Sequence, residues 1–241
     1  MTTSQRYSDY TAEDFDVWSI LFDRQMAFLK GRVCPEFYEG IAKLGYKADS
    51  IPEFLVLSDR LERITGWRLA AVDDALSSEE FFTLLVNRRF PSATTLRPMA
   101  ELAHTKVPDM FHDLFGHIPL LTNPVYSDFI VRMSEAALPR AGNPAVIKRL
   151  GWAYKWTIEY GLTGFGEEQK VYGAGLISSS KELDYVFTDQ PRKLPFSPQG
   201  VLATSHIPAS LQDHYFVIRS FDELVEGLPQ MAHLLDTMEL A

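Results

Sequence analysis

The stretch VPDMFHDLFGHIPLL, residues 107–121, constrains this chain more than any other, because it sets His112 and His117 into an otherwise apolar run. The pair reads as holding a metal. On an unbroken α-helix, side chains five residues apart diverge by roughly 140° and lie about 7.5 Å apart along the axis, too far to share one ion. The spacing therefore predicts a helix that ends between them. Gly116 suits that end, since a residue without Cβ takes the left-handed conformation that closes a helix, and Pro119 bars the helix from resuming. His112 then projects from the last turn with His117 folded back beside it. The alternative is one core histidine and one exposed histidine.

The metal reading needs a third ligand, and composition narrows its source. The single cysteine, Cys34, excludes a disulfide framework and a Cys-rich zinc site, and it suits a reducing cytoplasm. The chemistry depends on that third group and on which positions stay open. Glu159 is the candidate, an acid at the end of an aromatic-rich helix in AYKWTIEYGL. The competing reading is a surface glutamate paired with Lys155, since residues four apart share a helix face. A net charge of −9 opposes binding to polyanions, so nucleic acid is not an expected partner. The N-terminus lacks a secretory signal, and no apolar run approaches ~18 residues. The expected protein is cytoplasmic and does not enter the membrane.

Along the chain, the signals predict mostly helix around one core. Thr11 and Asp14 start a helix that continues through Phe15, Trp18, Phe22 and Leu29 to Gly31. Further helices are expected over 35–45, from about Ser58 to Gly66, over 77–89, from Asn123-Pro124, over 144–160, and from Phe221 to about Met238. Residues 67–72 and 214–218 read as strands. KVYGAGLISS, residues 170–179, reads as a turn where backbone approaches something closely, and 191–208 as loop. The expected fold is mainly α in a single domain over 1–241.

Several separated motifs together carry a resemblance: VPDMFHDLFGHIPLL, WTIEYGL and YGAGLISS, with YTAEDFDVW, IPEFLVLSDRLERITGWRL and FFTLLVNRRFP before or between them. In that order they are similar to the aromatic amino acid hydroxylases, the pterin-dependent, non-haem iron family acting on phenylalanine, tyrosine or tryptophan, and most of all to its short bacterial members. The resemblance implies the family's catalytic fold, with neither a regulatory nor a tetramerisation segment, and a monomer. It makes His112, His117 and Glu159 a facial triad on Fe(II), with positions left for water and O2. A tetrahydropterin is the implied cofactor and a small aromatic amino acid the substrate, with L-phenylalanine going to L-tyrosine. For the pterin it points to the loop 72–78, through Val72, Leu76 and Ser78, to Phe81 for stacking, Asp113 and Tyr154. Asp74 stands where the family usually has glycine.

For the amino acid, the resemblance implies that Arg97 forks onto the substrate carboxylate, with Asp109 and Ser178 holding that network. Thr105, Gly175 and Ser179 fall in pocket-lining segments. Lys155, Tyr160 and His104 replace a tryptophan, a phenylalanine and a tyrosine of the family around the ring. A lysine there needs a partner, either Glu159, another acid or the substrate; otherwise its head snorkels to water. Outside the resemblance, the same triad would serve a zinc hydrolase or a metal-stabilised binding protein.

Overall fold

Local signals set most helix ends in the computed structural model, which describes residues 4–73, 75–102, 108–205 and 211–239. Helix α1 (Ala12–Leu29) opens on a reciprocal box in which Thr11 accepts from the Asp14 N–H while Asp14 accepts from the Thr11 N–H. Helix α2 (Pro35–Leu44) has proline in its first turn and closes on Gly45 at φ +65°, where any Cβ would be strained. Helix α3 (Phe54–Thr65) starts four residues before the expected Ser58. Its first N–H, on Phe54, donates to the Gln5 side chain, a partner distant in sequence and invisible to local reading. Ser58 instead lies buried inside the helix, its hydroxyl accepting from the Leu69 N–H.

Strand β1 (Arg68–Ala71) follows, and α4 (Ser78–Val86) is capped by a second box between Ser77 and Glu80. The helix expected to reach Arg89 stops at Val86. Arg88 turns the chain at φ +53°, and β2 (Arg89–Ser92) pairs in parallel with β1. The Phe90-Pro91 pair thus belongs to a strand, and among the described residues β2 pairs with β1 alone, leaving Pro91 a tolerable edge residue.

Helices α5 (Pro124–Ala137) and α6 (Pro144–Tyr154) each begin with an asparagine whose side chain accepts two backbone N–H groups, followed by proline. After α6 come β3 (Leu162–Thr163), β4 (Lys170–Val171), α7 (Ala174–Ser178), α8 (Ser180–Val186), β5 (Arg192–Pro195), α9 (Pro198–Ala203), β6 (His214–Ile218) and α10 (Phe221–Glu239). The second sheet has the order β4-β3-β6-β5, with β6 parallel to both neighbours and buried along its whole length. The region expected as loop over 191–208 holds β5 and α9. No apolar alternation marks β5, because it exists through its backbone pairing with β6. Part of that region, 206–208, lies outside the described residues.

The aromatic core holds the site in place. Trp18, Trp67, Trp156, Phe111 and Phe115 are all fully buried, each stabilising by about 1.5–3 kcal/mol or more. Phe111 and Phe115 stack at 4.8 Å between centroids, which anchors the inner face of the segment carrying both histidines. Among the described residues, no helix is long and apolar enough to cross a membrane.

Candidate metal centre

The histidine segment does not end a helix. His112–His117 is a π-helical turn, hydrogen-bonded i→i+5, and this widened turn brings the fifth residue back over the first. His112 Nε2 and His117 Nε2 lie 3.2 Å apart as a result. Gly116 is not in the left-handed conformation; its bare Cα serves close packing, since a Cβ there would lie 2.9 Å from the Ala174 carbonyl oxygen in α7. Pro119 opens a 3-10 turn, Ile118–Thr122, instead of stopping the chain.

A second π turn, Lys155–Glu159, ends α6 and delivers the carboxylate. Glu159 Oε2 is 3.5 Å from His112 Nε2, and Oε1 is 3.5 Å from His117 Nε2. All three ligand atoms fall within 4.8 Å of one another. The glycines of YGAGLISS press against this acid: a Cβ on Gly173 would meet the Glu159 carbonyl oxygen at 2.3 Å, and one on Gly175 would reach Glu159 Oε2 at 3.3 Å. The expected close approach is present, but on a short helix, α7, rather than an open turn.

Hydrogen bonding settles which nitrogen of His112 faces the metal position. The Ser178 hydroxyl donates its one hydrogen to the Ala174 carbonyl, so toward His112 Nδ1, 2.8 Å away, it accepts. Nδ1 therefore carries the hydrogen and Nε2 the lone pair. Two imidazole nitrogens and a carboxylate on one side of a point fit divalent iron, with the opposite side left for exchangeable ligands. The electrostatics agree. Burial opposes a charge on His112, yet Glu159 raises its affinity for a proton, so the site draws in positive charge. Burial likewise pushes the Glu159 carboxyl up, but Lys155 and the two imidazoles hold it well below its usual range.

Around the triad, two of the residues expected at the pterin, Phe81 and Tyr154, lie on the His117 side. Phe81 meets Tyr154 edge-on at 5.5 Å, and Tyr154 lies 6.5 Å from the His117 ring. Asp113 accepts the Ala93 N–H at 2.8 Å, and burial pushes its carboxyl up against the pull of the imidazoles. Val72 is tied to the end of β2 through Ser92, while Leu76 and Ser78 are half-buried at the start of α4. Asp74 lies outside the described residues. Phe90, 5.0 Å from the His117 ring, is a neighbour that sequence reasoning missed.

Arg97 and Asp109 form a buried pair. Asp109 accepts from the Arg97 N–H, Nε and Nη2 at 2.9, 2.8 and 2.7 Å, and from the His112 N–H at 3.1 Å. One carboxylate thus ties the arginine to the metal-binding turn. Asp109 takes the Nε–Nη2 edge of the guanidinium. Ser178 bonds the His112 ring, and Ser179 caps α8 by accepting the Glu182 N–H. Tyr160 lies 6.4 Å from both Trp156 and Tyr215, and the Tyr215 hydroxyl donates to Glu182 at 2.9 Å, a pair the sequence did not signal. Lys155 places its ammonium 3.5 Å from Glu159 Oε1 with the side chain 38% exposed. Both readings of Glu159 are therefore partly true: it pairs with Lys155, but from a buried position among the histidines. His104 and Thr105 lie outside the described residues.

This fold and this donor set define a mononuclear centre of two histidines and one carboxylate. The sequence profile of the biopterin-dependent aromatic amino acid hydroxylases matches residues 4–238, and the chain belongs to that family. It is 37% identical to the phenylalanine-4-hydroxylases of Ralstonia nicotianae and Chromobacterium violaceum over 227 residues, 94% of this chain and 72% and 76% of those proteins. The crystal structure of the C. violaceum enzyme with bound oxidised Fe(III) superposes with a TM-score of 0.92 at 36% identity, covering 97% of this chain and 85% of that one. A second structure of that enzyme, with iron(III) and the oxidised cofactor 7,8-dihydrobiopterin, superposes with a TM-score of 0.91.

Proposed function

We propose that this protein is an Fe(II)- and tetrahydropterin-dependent monooxygenase that hydroxylates the ring of L-phenylalanine to give L-tyrosine. The observation that carries the reading is the convergence of His112, His117 and Glu159 within 4.8 Å inside a chain of this family. When bound, the iron would activate O2 and the tetrahydropterin would supply the two electrons the reaction needs, so that one oxygen atom enters the ring and the other is reduced to the level of water.

The chain's own residues bind and orient. His112, His117 and Glu159 hold the metal from one side, with Ser178 keeping His112 in the ligating tautomer. Phe81 and Tyr154 offer aromatic surface to a flat pterin, bounded by Val72, Leu76, Ser78 and Asp113. Arg97 takes the amino acid's carboxylate in a charge-assisted fork, held in place by Asp109. Gly175, Ser179, Tyr160 and Lys155 border the ring. The burial of Glu159 and His117 keeps bulk water from the reacting centre. We further propose that residues 1–241 act as one catalytic unit, a cytoplasmic monomer. The single cysteine, buried and free, supports a reducing compartment.

Mass spectrometry of products tests the reading, after anaerobic Fe(II) loading and then exposure to a tetrahydropterin, O2 and a panel of aromatic amino acids. Tyrosine formed from phenylalanine with one oxygen atom from O2 is the expected result. O2-independent turnover with zinc, or iron binding without turnover, would overturn it.

A further inference from the structure

Within the triad, Glu159 is the ligand that a protein cation contests. Its Oε1 stands 3.5 Å from the Lys155 ammonium and also 3.5 Å from His117 Nε2, while Oε2 faces His112 at 3.5 Å. The oxygen turned toward the His117 side of the metal position is thus already engaged. Backbone holds the two residues in this relation. They occupy one π turn, closed by the Tyr160 N–H donating to the Lys155 carbonyl at 2.9 Å, and the Glu159 main chain is pressed by Gly173.

The partners differ in freedom. Glu159 has a side chain 8% exposed, whereas that of Lys155 is 38% exposed, on a flexible four-carbon stem. A buried carboxylate without a partner is costly, so the ammonium has a role while no metal is bound. A divalent ion among the three ligands changes that. Like charges would then share one carboxylate at close range, and the repulsion is weakened but not removed by solvent around the lysine head. The head has water to move into.

We propose that Lys155 is the counter-ion of the Glu159 carboxylate before the metal arrives, competes with the metal for that carboxylate, and is displaced toward solvent when the metal binds. Lys155 thereby makes metal affinity lower than the three ligands alone would give. The inference rests on the metal reading of the triad and concerns assembly of the centre rather than turnover. A merely structural lysine would weaken metal binding when removed; this one weakens it while present.

Calorimetric titration with Co(II), a probe stable in air, tests the sign. Lys155→Met keeps the stem and removes the charge; it should tighten Co(II) binding by about tenfold, as the loss of one nearby charge implies, while lowering the melting temperature of the metal-free protein. Lys155→Arg should stay near wild type in both. A second readout uses unaltered protein: the rate of Lys155 acetylation by a soluble reagent, followed by peptide mass spectrometry, should rise when Co(II) is added. Unchanged or weaker Co(II) binding in Lys155→Met, or an acetylation rate indifferent to Co(II), overturns the inference. Wild-type binding that is lost in His112→Ala, combined with no gain in Lys155→Met, would sink this inference and leave the metal reading standing. Absence of Co(II) binding in the wild type would sink both.

Discussion

Replacing Asp109 by alanine tests the frame that connects Arg97 to the metal-binding turn. The carboxylate accepts four hydrogen bonds, three from Arg97 and one from the His112 backbone. The pair is buried, with side chains 5% and 7% exposed, so solvent does little screening. Removing the acid strands a guanidinium in the interior, which costs about 3–5 kcal/mol. In a chain of this size that lowers the melting temperature by on the order of 6–20 °C. The pH dependence follows from the same contacts. Burial alone would push the Asp109 carboxyl up, but Arg97 outweighs it and holds the group below its ordinary value. A depressed carboxyl stabilises the fold above the unfolded-state value, about 3.9, and that contribution fades as pH falls through the folded-state value. Asp109→Ala should therefore be far less stable than wild type at neutral pH, with the gap narrowing in acid. Urea unfolding followed by circular dichroism at pH 7 and near pH 3 measures both. Adding Arg97→Met to Asp109→Ala should recover part of the loss, because the stranded charge goes too. A single mutant within about 1 kcal/mol of wild type at pH 7, or a gap that stays constant into acid, would refute the reasoning.

Three further outcomes follow from the site. His112→Ala, His117→Ala and Glu159→Ala should each greatly reduce iron binding, read by metal analysis after anaerobic loading, and abolish hydroxylation while the far-ultraviolet spectrum stays helical; wild-type iron content in Glu159→Ala would remove the carboxylate from the ligand set. Ser178→Ala deprives the His112 Nδ1–H of its acceptor and should weaken metal binding by about 10–100-fold, while metal affinity equal to wild type would contradict the tautomer assignment. Gly173→Ala brings a Cβ to 2.3 Å from the Glu159 carbonyl oxygen, against nothing within 4 Å at Gly142. The first should lose about 1–3 kcal/mol or more together with metal affinity, and Gly142→Ala should lose neither, with thermal melts and Co(II) titration as the measurements.

Elements whose defining hydrogen bonds close within a few residues are legible before any fold is known. The Thr11–Asp14 and Ser77–Glu80 boxes, the Asn123 and Asn143 caps and the left-handed Gly45 and Gly66 all sit where local reading puts them. The strand His214–Ile218 is equally plain, because burial on both faces selects an unbroken apolar run. The ligand types at 112, 117 and 159 are likewise readable, and so is the conclusion that an ordinary α-helix cannot bring the two histidines together. How the backbone solves that problem is not. A helix end and a π turn both satisfy the spacing, and Gly116 is compatible with either. What distinguishes them is that Ala174 packs against the bare Cα of Gly116, a contact between residues far apart in the chain. The same limit applies to the Phe54 helix start set by Gln5, the strand Arg192–Pro195 set by its pairing with His214–Ile218, and Phe90 against His117. It applies most to Ser178, whose bond to the His112 ring depends on where α7 lands, and to Glu159, whose burial among the histidines puts its pairing with Lys155 inside the site. Residue types and short-range bonds determine which groups are available; only the packing of distant segments determines which of them meet.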